Sequence, residues 1–261
     1  ISDFLSCPRA YYLRHIYKDP RTGRKINIIN PAMALGLVVH DVLEALADVG
    51  ADVRMQQPLI ESFEKAWEHV SGEMGGFRDG DEEERFKDRG LTMIRRVIDH
   101  PGPLLKKAVR LRSPDSLPPR YKLSEEENII LCGKVDWLEY FPDDDSVRII
   151  DFKTGVRDER GDSLQLPIYA LLVKNLQNRN IRGISYWYLE RDNVPMEMGL
   201  PDFLEAHERV MGVALAIKRL RQEGRYVCSR GGCFSCRPLE DVVDGRSKWI
   251  KQSGYVDVYV N

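Results

Sequence analysis

Asp136, Asp151 and Lys153 are two carboxylates and an ammonium carried by strand-like sequence. The runs Ile129 to Phe141 and Val147 to Lys153 are rich in β-branched and aromatic residues, and the turn Pro142, Asp143, Asp144, Asp145 separates them, which is the pattern of a β-hairpin. With the loop centred between Asp143 and Asp144, opposed residues have numbers that sum to 287, which sets Asp136 across from Asp151. Opposed residues of an antiparallel pair share a face, with Cβ atoms roughly 4.5–5.5 Å apart. Lys153 joins that face, since side chains alternate along a strand. Val135, Trp137, Ile150 and Phe152 then point the other way, toward a core. Two carboxylates held this close repel, and a cation between them relieves the repulsion. Oxygen donors with open positions suit magnesium or manganese. Such an ion polarises a phosphoryl oxygen and acidifies a water, and a lysine beside it orients that water or offsets developing charge. The outline is that of phosphodiester hydrolysis. The plainer alternative is a surface hairpin whose wet face pairs Lys153 with Asp136 or Asp151.

A second chemical grouping lies at the cysteines. The chain has five: Cys7, Cys132, Cys228, Cys233 and Cys236. An odd number without a secretion signal speaks against a disulfide framework. Cys228, Cys233 and Cys236 are packed into YVCSRGGCFSCRP, where Gly231-Gly232 lets the backbone curl several thiolates toward one point. Three ligands leave a four-thiolate site one short, and Cys7 near the other end of the chain is the candidate fourth. Zinc and an iron-sulfur cluster both accept four thiolates. Unlinked thiols are the bland alternative. Cys132, next to Gly133 inside the hairpin strand, reads as a small buried apolar residue.

The elements that must position these groups follow from periodicity. Residues 2 to 17 read as a helix with Ser2 as its cap, and Phe4, Tyr11 and Tyr12 as core residues rather than a base-stacking platform. Arg9, Arg14, Lys18, Arg21, Arg24 and Lys25 form a basic cluster, either a phosphate-binding rim or a solvated face. Pro31 opens a helix with an apolar stripe of Leu35, Val38, Val39, Val42, Leu43 and Leu46. His40 shares a face with Gly36 and Glu44. A lone histidine there is usually structural, but carboxylates supplied elsewhere make it a metal-ligand candidate. Glu44 reads as a charge at the edge of the stripe rather than a further ligand.

Residues 51 to 118 are helical in pattern, clearest over Leu59 to Val70 and Glu83 to Ile98, with GEMGGFRDGDEEE between them as an exposed loop. Pro101, Pro103, Pro114, Pro118 and Pro119 end this part and lead into the sheet. After the hairpin, Thr154 and Gly155 turn the chain, and Asp162 or Ser163 caps the helix LQLPIYALLVKNLQ. Gln165 and Tyr169 stack on one face of its first turns, beside the cleft or simply toward solvent. Gly183 to Glu190 reads as a strand, Pro201 to Glu223 as a long helix, and Tyr255 to Val260 as a last strand or docking tail.

The whole is an α/β chain long enough, at 261 residues, for one large domain or a core with an insertion. A formal net charge of -2 excludes a protein basic all over, so a nucleic-acid partner would be met by a local groove. No apolar run reaches bilayer-spanning length and no signal peptide opens the chain, so no membrane is expected and the expected compartment is the cytoplasm.

Taken together, Asp136 in its GxxDW context, Asp151-Phe152-Lys153-Thr154-Gly155, and Gln165 with Tyr169 resemble the PD-(D/E)XK nuclease superfamily in its RecB-like branch. His40 upstream, Cys7-Pro8, and the distal cysteine triplet resemble the iron-sulfur subset, the AddB-type nuclease domains and CRISPR-associated RecB-like exonucleases. The resemblance implies a restriction-endonuclease-like core, a central mixed sheet flanked by helices, in a single domain over residues 1–261. A helical insertion at about 50–118 and a cysteine segment at 224–240 closing on Cys7 would complete it. It implies that His40, Asp136 and Asp151 bind magnesium or manganese, that Lys153 is catalytic, and that Gln165 and Tyr169 contact DNA or position the lysine. It also implies a 4Fe-4S cluster on Cys7, Cys228, Cys233 and Cys236, pinning the C-terminal segment to the N-terminal helix. The cysteine gaps depart from the family order, four residues and then two where relatives have the short gap first, so zinc stays open. Asp151 stands where many relatives carry Glu. The activity implied is exonucleolytic cleavage of single-stranded DNA in recombination, repair or CRISPR adaptation, with a helicase or adaptation proteins as partners. A catalytically silent or partner-dependent DNA-holding subunit, or a zinc-stabilised regulatory protein, is the competing class.

Overall fold

A computed structural model describes residues 1–111 and 117–261. Pro114, one of the prolines read as closing the helical part, lies outside the described residues. The chain begins with α1 (Ser2–Ser6), α2 (Pro8–His15), β1 (Lys25–Ile28) and α3 (Pro31–Ala45). There follow α4 (Leu59–Trp67), α5 (Gly80–Asp99), β2 (Arg120–Ser124), β3 (Ile129–Cys132), β4 (Trp137–Phe141) and β5 (Ser146–Lys153). The remainder is α6 (Gln165–Leu176), β6 (Asn180–Tyr188), β7 (Met196–Met198), α7 (Phe203–Glu223), α8 (Arg237–Val243), β8 (Lys248–Ser253) and β9 (Val256–Val260). No helix among the described residues is long and apolar enough to cross a membrane. These elements gather into two compact units, residues 1–34, 68–86 and 212–261 in one and 35–67 and 87–211 in the other. The stretch read as a helical insertion, 50–118, is divided between them.

The second unit is built on the mixed sheet β4-β5-β6-β7, with β5 and β6 parallel and the other pairings antiparallel. The β4-β5 register pairs Trp137 with Ile150 and Phe141 with Ser146, the 287 sum read from the sequence. A parallel pair needs a crossover, and α6 supplies it. Leu166, Ala170 and Val173 of α6 cover one face, packed on Leu138, Val147, Ile149, Ile184 and Tyr186. Trp137, Phe152 and Trp187 pack with tilted rings on the other, neighbouring ring centroids 6.3 and 6.0 Å apart. Both faces are therefore covered, which is why β5 is buried along nearly its whole length although Ser146, Arg148, Asp151 and Lys153 lie in it.

The long strand expected from Ile129 to Phe141 is instead two strands. Ile129–Cys132 pairs with β2 in a separate two-stranded sheet, and the chain leaves the ladder at residues 133–136 before β4 begins. Gly133 permits this crossing, because a Cβ there would stand 2.9 Å from Leu172 Cδ1. Two expectations fail with that strand. Cys132 is exposed rather than buried, and Val135 packs on the α6 side of the sheet instead of beside Trp137.

In the first unit, β1, β9 and β8 form a sheet, with β1 parallel to β9. The tail at Tyr255 to Val260 is thus a strand, and β1 is an element that the basic residues around it obscured. Asp257, fully buried, takes hydrogen bonds from Thr22 Oγ1 at 2.8 Å, Arg24 Nε at 3.0 Å and Trp249 Nε1 at 3.2 Å. The other arginines of the basic cluster also have acidic partners, Arg9 with Glu240, Arg14 with Asp3 and Arg21 with Asp19. Ser2 begins α1 but makes no cap, and Ile1 precedes the helix without a side-chain bond.

The stretch GEMGGFRDGDEEE is not an exposed loop. Phe77 and Gly75 are buried, and Asp79 Oδ1 accepts the Glu82 N–H at 2.8 Å, so α5 starts at Gly80 with acidic residues in its first turn. Carboxylates there satisfy free N–H groups and complement the helix dipole, a start signal that the two glycines and the charge run masked.

Candidate active site and cysteine centre

In the second unit, α3 presents His40 and Glu44 one turn apart. The imidazole Nδ1 stands 3.4 Å from Glu44 Oε1 and 3.5 Å from Asp136 Oδ2, and its ring meets the edge of Phe152. Asp136 sits just before β4, where its Oδ2 accepts the Phe152 N–H at 2.9 Å, so the carboxylate is tied directly to the strand that carries Asp151. Ligand atoms of His40, Glu44 and Asp136 all lie within 4.8 Å of one another. Two carboxylates and an imidazole at this spacing are a donor set that fits magnesium or manganese.

Asp151 stands beside this group, fully buried, and is held from the other side. Its Oδ1 accepts from Gln165 Nε2 at 2.9 Å and its Oδ2 faces the Lys153 ammonium at 2.9 Å. The Gln165 amide closes the circuit, for its Oε1 accepts a hydrogen bond from Lys153 Nζ while its Nε2 also reaches the Tyr169 hydroxyl at 3.4 Å. Glu159 Oε2 contacts Lys153 Nζ at 3.1 Å. An ammonium has three protons, and Asp151, Gln165 and Glu159 give it three acceptors.

The charges shift one another. Burial works against the His40 imidazolium, but Asp136 and Glu44 outweigh it and push its pKa up to about 10. Burial and the nearby Asp136 charge push Asp151 up to about 7, against the pull of Lys153. Burial alone would lower Lys153; Asp151 and Glu159 reverse that and raise it. Burial would also raise Glu44, yet His40 and Lys134 hold it below the usual carboxylate range. A surplus of buried negative charge is what a cation would relieve.

The fold thus brings together every residue singled out for this site: His40, Asp136, Asp151, Lys153, Gln165 and Tyr169. The tightest cluster of ligand atoms joins Glu44, rather than Asp151, to His40 and Asp136. The signal for Glu44 was its position four residues after His40. For Glu159, in the polar stretch between Gly155 and Ser163, no sequence signal existed. The α6 cap falls at Leu164 rather than at Asp162 or Ser163, and Ser163 instead takes the Gln165 N–H on its hydroxyl at 3.3 Å.

In the first unit, Cys7, Cys228, Cys233 and Cys236 converge, their sulfurs all within 4.8 Å of one another. Pro8 disfavours helical geometry at the residue before it, so Cys7 is extended (φ −169°) and sits in the notch between α1 and α2. Gly231 and Gly232, both with positive φ, turn the other end of the chain toward it. Cys233 Sγ and Cys236 Sγ are 3.7 Å apart, and the Cys233 N–H donates to Cys236 Sγ at 3.2 Å. Burial opposes ionisation of Cys233, but backbone N–H groups of Cys236 and Ser235 overcome it and lower the pKa to about 6. Burial raises Cys7, and it carries Cys236 to about 12. The surroundings are Ala10, Leu13, Ile26, Ile28, Leu239, Val242 and Tyr259. Four thiols converging in an apolar pocket fit a thiophilic metal, either zinc or an iron-sulfur cluster.

Residues 1–238 match the family model of the PD-(D/E)XK nuclease superfamily. No curated protein matches the chain.

Proposed function

This chain belongs to the PD-(D/E)XK nuclease superfamily, of metal-dependent enzymes that act on DNA, and on that premise we propose that it is a single-stranded DNA exonuclease of the RecB-like iron-sulfur branch. The observation that carries the reading is the circuit in which Gln165 clamps both Asp151 and Lys153 beside the His40, Glu44 and Asp136 donor set. His40, Asp136 and Asp151 would hold the divalent ion, with Glu44 within reach of the same point. The ion supplies Lewis acidity toward a phosphoryl oxygen and a more acidic water. Lys153, kept protonated by its carboxylate neighbours, orients the water or meets charge that builds on the phosphate. Gln165 holds the ammonium in place, and Tyr169 braces the amide.

The test is degradation of end-labelled single-stranded and duplex DNA by anaerobically purified protein with magnesium or manganese, alongside Lys153→Ala. Metal-dependent loss of label with the parent and a fall of about 10²–10³-fold in the variant is the expected result. Equal rates for both proteins would remove Lys153 from the reaction, and no cleavage of either strand form would favour a DNA-holding subunit.

For the cysteines, the resemblance supports a 4Fe-4S cluster, whereas the 3.7 Å spacing of Cys233 and Cys236 supports a single zinc ion. Tetrahedral bonds of about 2.3 Å put two sulfurs roughly 3.8 Å apart, and a cubane, with each ligand on its own iron, spreads them farther. Iron with acid-labile sulfide would establish the cluster; zinc without iron would establish the ion.

A further inference from the structure

Phe234 differs from every other phenylalanine in the chain. The other seven are buried or half-buried, whereas Phe234 is 80% exposed. It stands between Cys233 and Cys236, in a turn where Cys233 O accepts the N–H of Cys236 at 3.1 Å and of Arg237 at 2.9 Å. Its backbone is therefore held by the cysteine centre, and the ring contributes nothing to the core of that centre.

What surrounds the ring is cationic. The Arg230 guanidinium lies 5.9 Å from its centroid and is steadied by a hydrogen bond to Ser6 O at 3.3 Å. The Arg237 side chain runs beside Gly232 on the same turn. From Gly224 to Pro238 the sequence contains Arg225, Arg230 and Arg237 and no acidic residue, although the chain as a whole has a net charge of -2. The remaining turn residues, Gly231, Gly232 and Ser235, are small and add little apolar area to interest a protein partner. A rigidly mounted aromatic face flanked by arginines suits a base and its phosphates, because every base offers a π-face and every phosphate a charge.

We propose that Phe234 is a stacking platform for an unpaired base of a single-stranded nucleic acid, with Arg230 and Arg237 contacting the adjacent phosphates. The proposal adds a strand-binding surface to the nuclease reading and rests on that reading only for the choice of DNA as probe. The experiment is binding of fluorescent oligo(dT) by fluorescence anisotropy, in the Lys153→Ala background to stop cleavage, with the metal content of the cysteine centre measured in every preparation. Phe234→Ala should weaken binding about ten- to hundred-fold at unchanged metal content, while Phe234→Trp retains it. Arg230→Gln should reduce the salt dependence of binding. Parental affinity in Phe234→Ala would overturn the proposal. So would full retention by Phe234→Leu, which would mark plain apolar docking of the kind a protein partner uses. Binding through Phe234 by a protein that cleaves nothing would leave the proposal standing and sink the nuclease reading; cleavage with Phe234 irrelevant to binding would do the reverse.

Discussion

The two centres of this molecule gather ligands in opposite ways. In the carboxylate site, one helix, the bend just before β4, the adjacent strand β5 and the helix after it supply His40, Glu44, Asp136, Asp151, Lys153 and Gln165, and the charges already balance in part through Lys153 and Lys134. In the cysteine centre, the four cysteines come from opposite ends of the chain, and the surroundings are apolar, with no cation among the described buried residues of the cluster. The first site can keep its geometry without an ion because hydrogen bonds and ion pairs hold it. The second has only thiols, one of them with its pKa lowered to about 6 and another raised to about 12, and ionising all four in an apolar pocket requires a metal. On the proposed reading the metal would be a reagent in one unit and a structural member in the other.

The largest effect that tests this contrast is loss of a thiolate. Cys236→Ser should release the bound metal and unfold the segment around α8, since structural zinc in small domains contributes on the order of 10 kcal/mol of apparent binding energy. Metal analysis with limited proteolysis between residues 224 and 243 reads both consequences. Full metal content in a protease-resistant variant would remove Cys236 from the ligand set. The matching change in the other centre, Lys153→Ala, is expected to stop cleavage without such unfolding.

How far each centre could be read in advance follows from the same contrast. The carboxylate site was legible because strand alternation and hairpin symmetry turn sequence numbers into positions, and the register came out as the 287 sum. The tetrad was legible by residue type alone, as cysteines at such spacing have few other uses. What escaped was long-range backbone geometry. The break at residues 133–136 depends on α6 lying against Gly133, and nothing local marks it. The β1 strand, paired with a segment more than 200 residues away, lies among charges that suggested a solvent-facing rim. Glu44 was visible, but its burial and its approach to Asp136 come only with the docked chain.

A smaller effect separates metal-dependent from metal-independent stability within the cysteine unit. Burial disfavours the Asp257 carboxylate, but Thr22, Trp249 and Arg24 together hold its pKa below the ordinary range. A depressed folded-state pKa gives stability that is complete above the unfolded value near 4 and is lost as pH falls through the folded value. Asp257→Asn should therefore cost about 1–3 kcal/mol at neutral pH and little in strong acid, flattening the acid limb of the stability profile. Chemical denaturation at pH 7 and pH 3 measures both ends. An unchanged acid limb would mean that the sheet β1-β9-β8 does not draw on this charge.

The smallest effect concerns the partner of Lys153 that the sequence did not announce. Asp151 and Gln165 reach the ammonium from a strand and a helix, whereas Glu159 reaches it from a connecting segment, anchored where the Glu159 N–H donates to the Tyr188 hydroxyl at 2.8 Å and where Arg191 pairs with Asp158. Its side chain is about a third exposed, at 31%, so water screens the pair and its contribution is on the order of 0.2–1 kcal/mol. With three acceptors already gathered around the ammonium, a phosphate that enters the site must displace one of them, and the partly exposed, loop-borne Glu159 is the easiest to move. Glu159→Gln removes a negative charge that competes with the phosphate, so KM for DNA should fall by about two- to five-fold with kcat nearly constant. Steady-state kinetics at low ionic strength, where the charge is least screened, gives the clearest reading. A collapse of kcat comparable with that of Lys153→Ala would instead make Glu159 a working member of the site, and the displaceable-partner account would have to go.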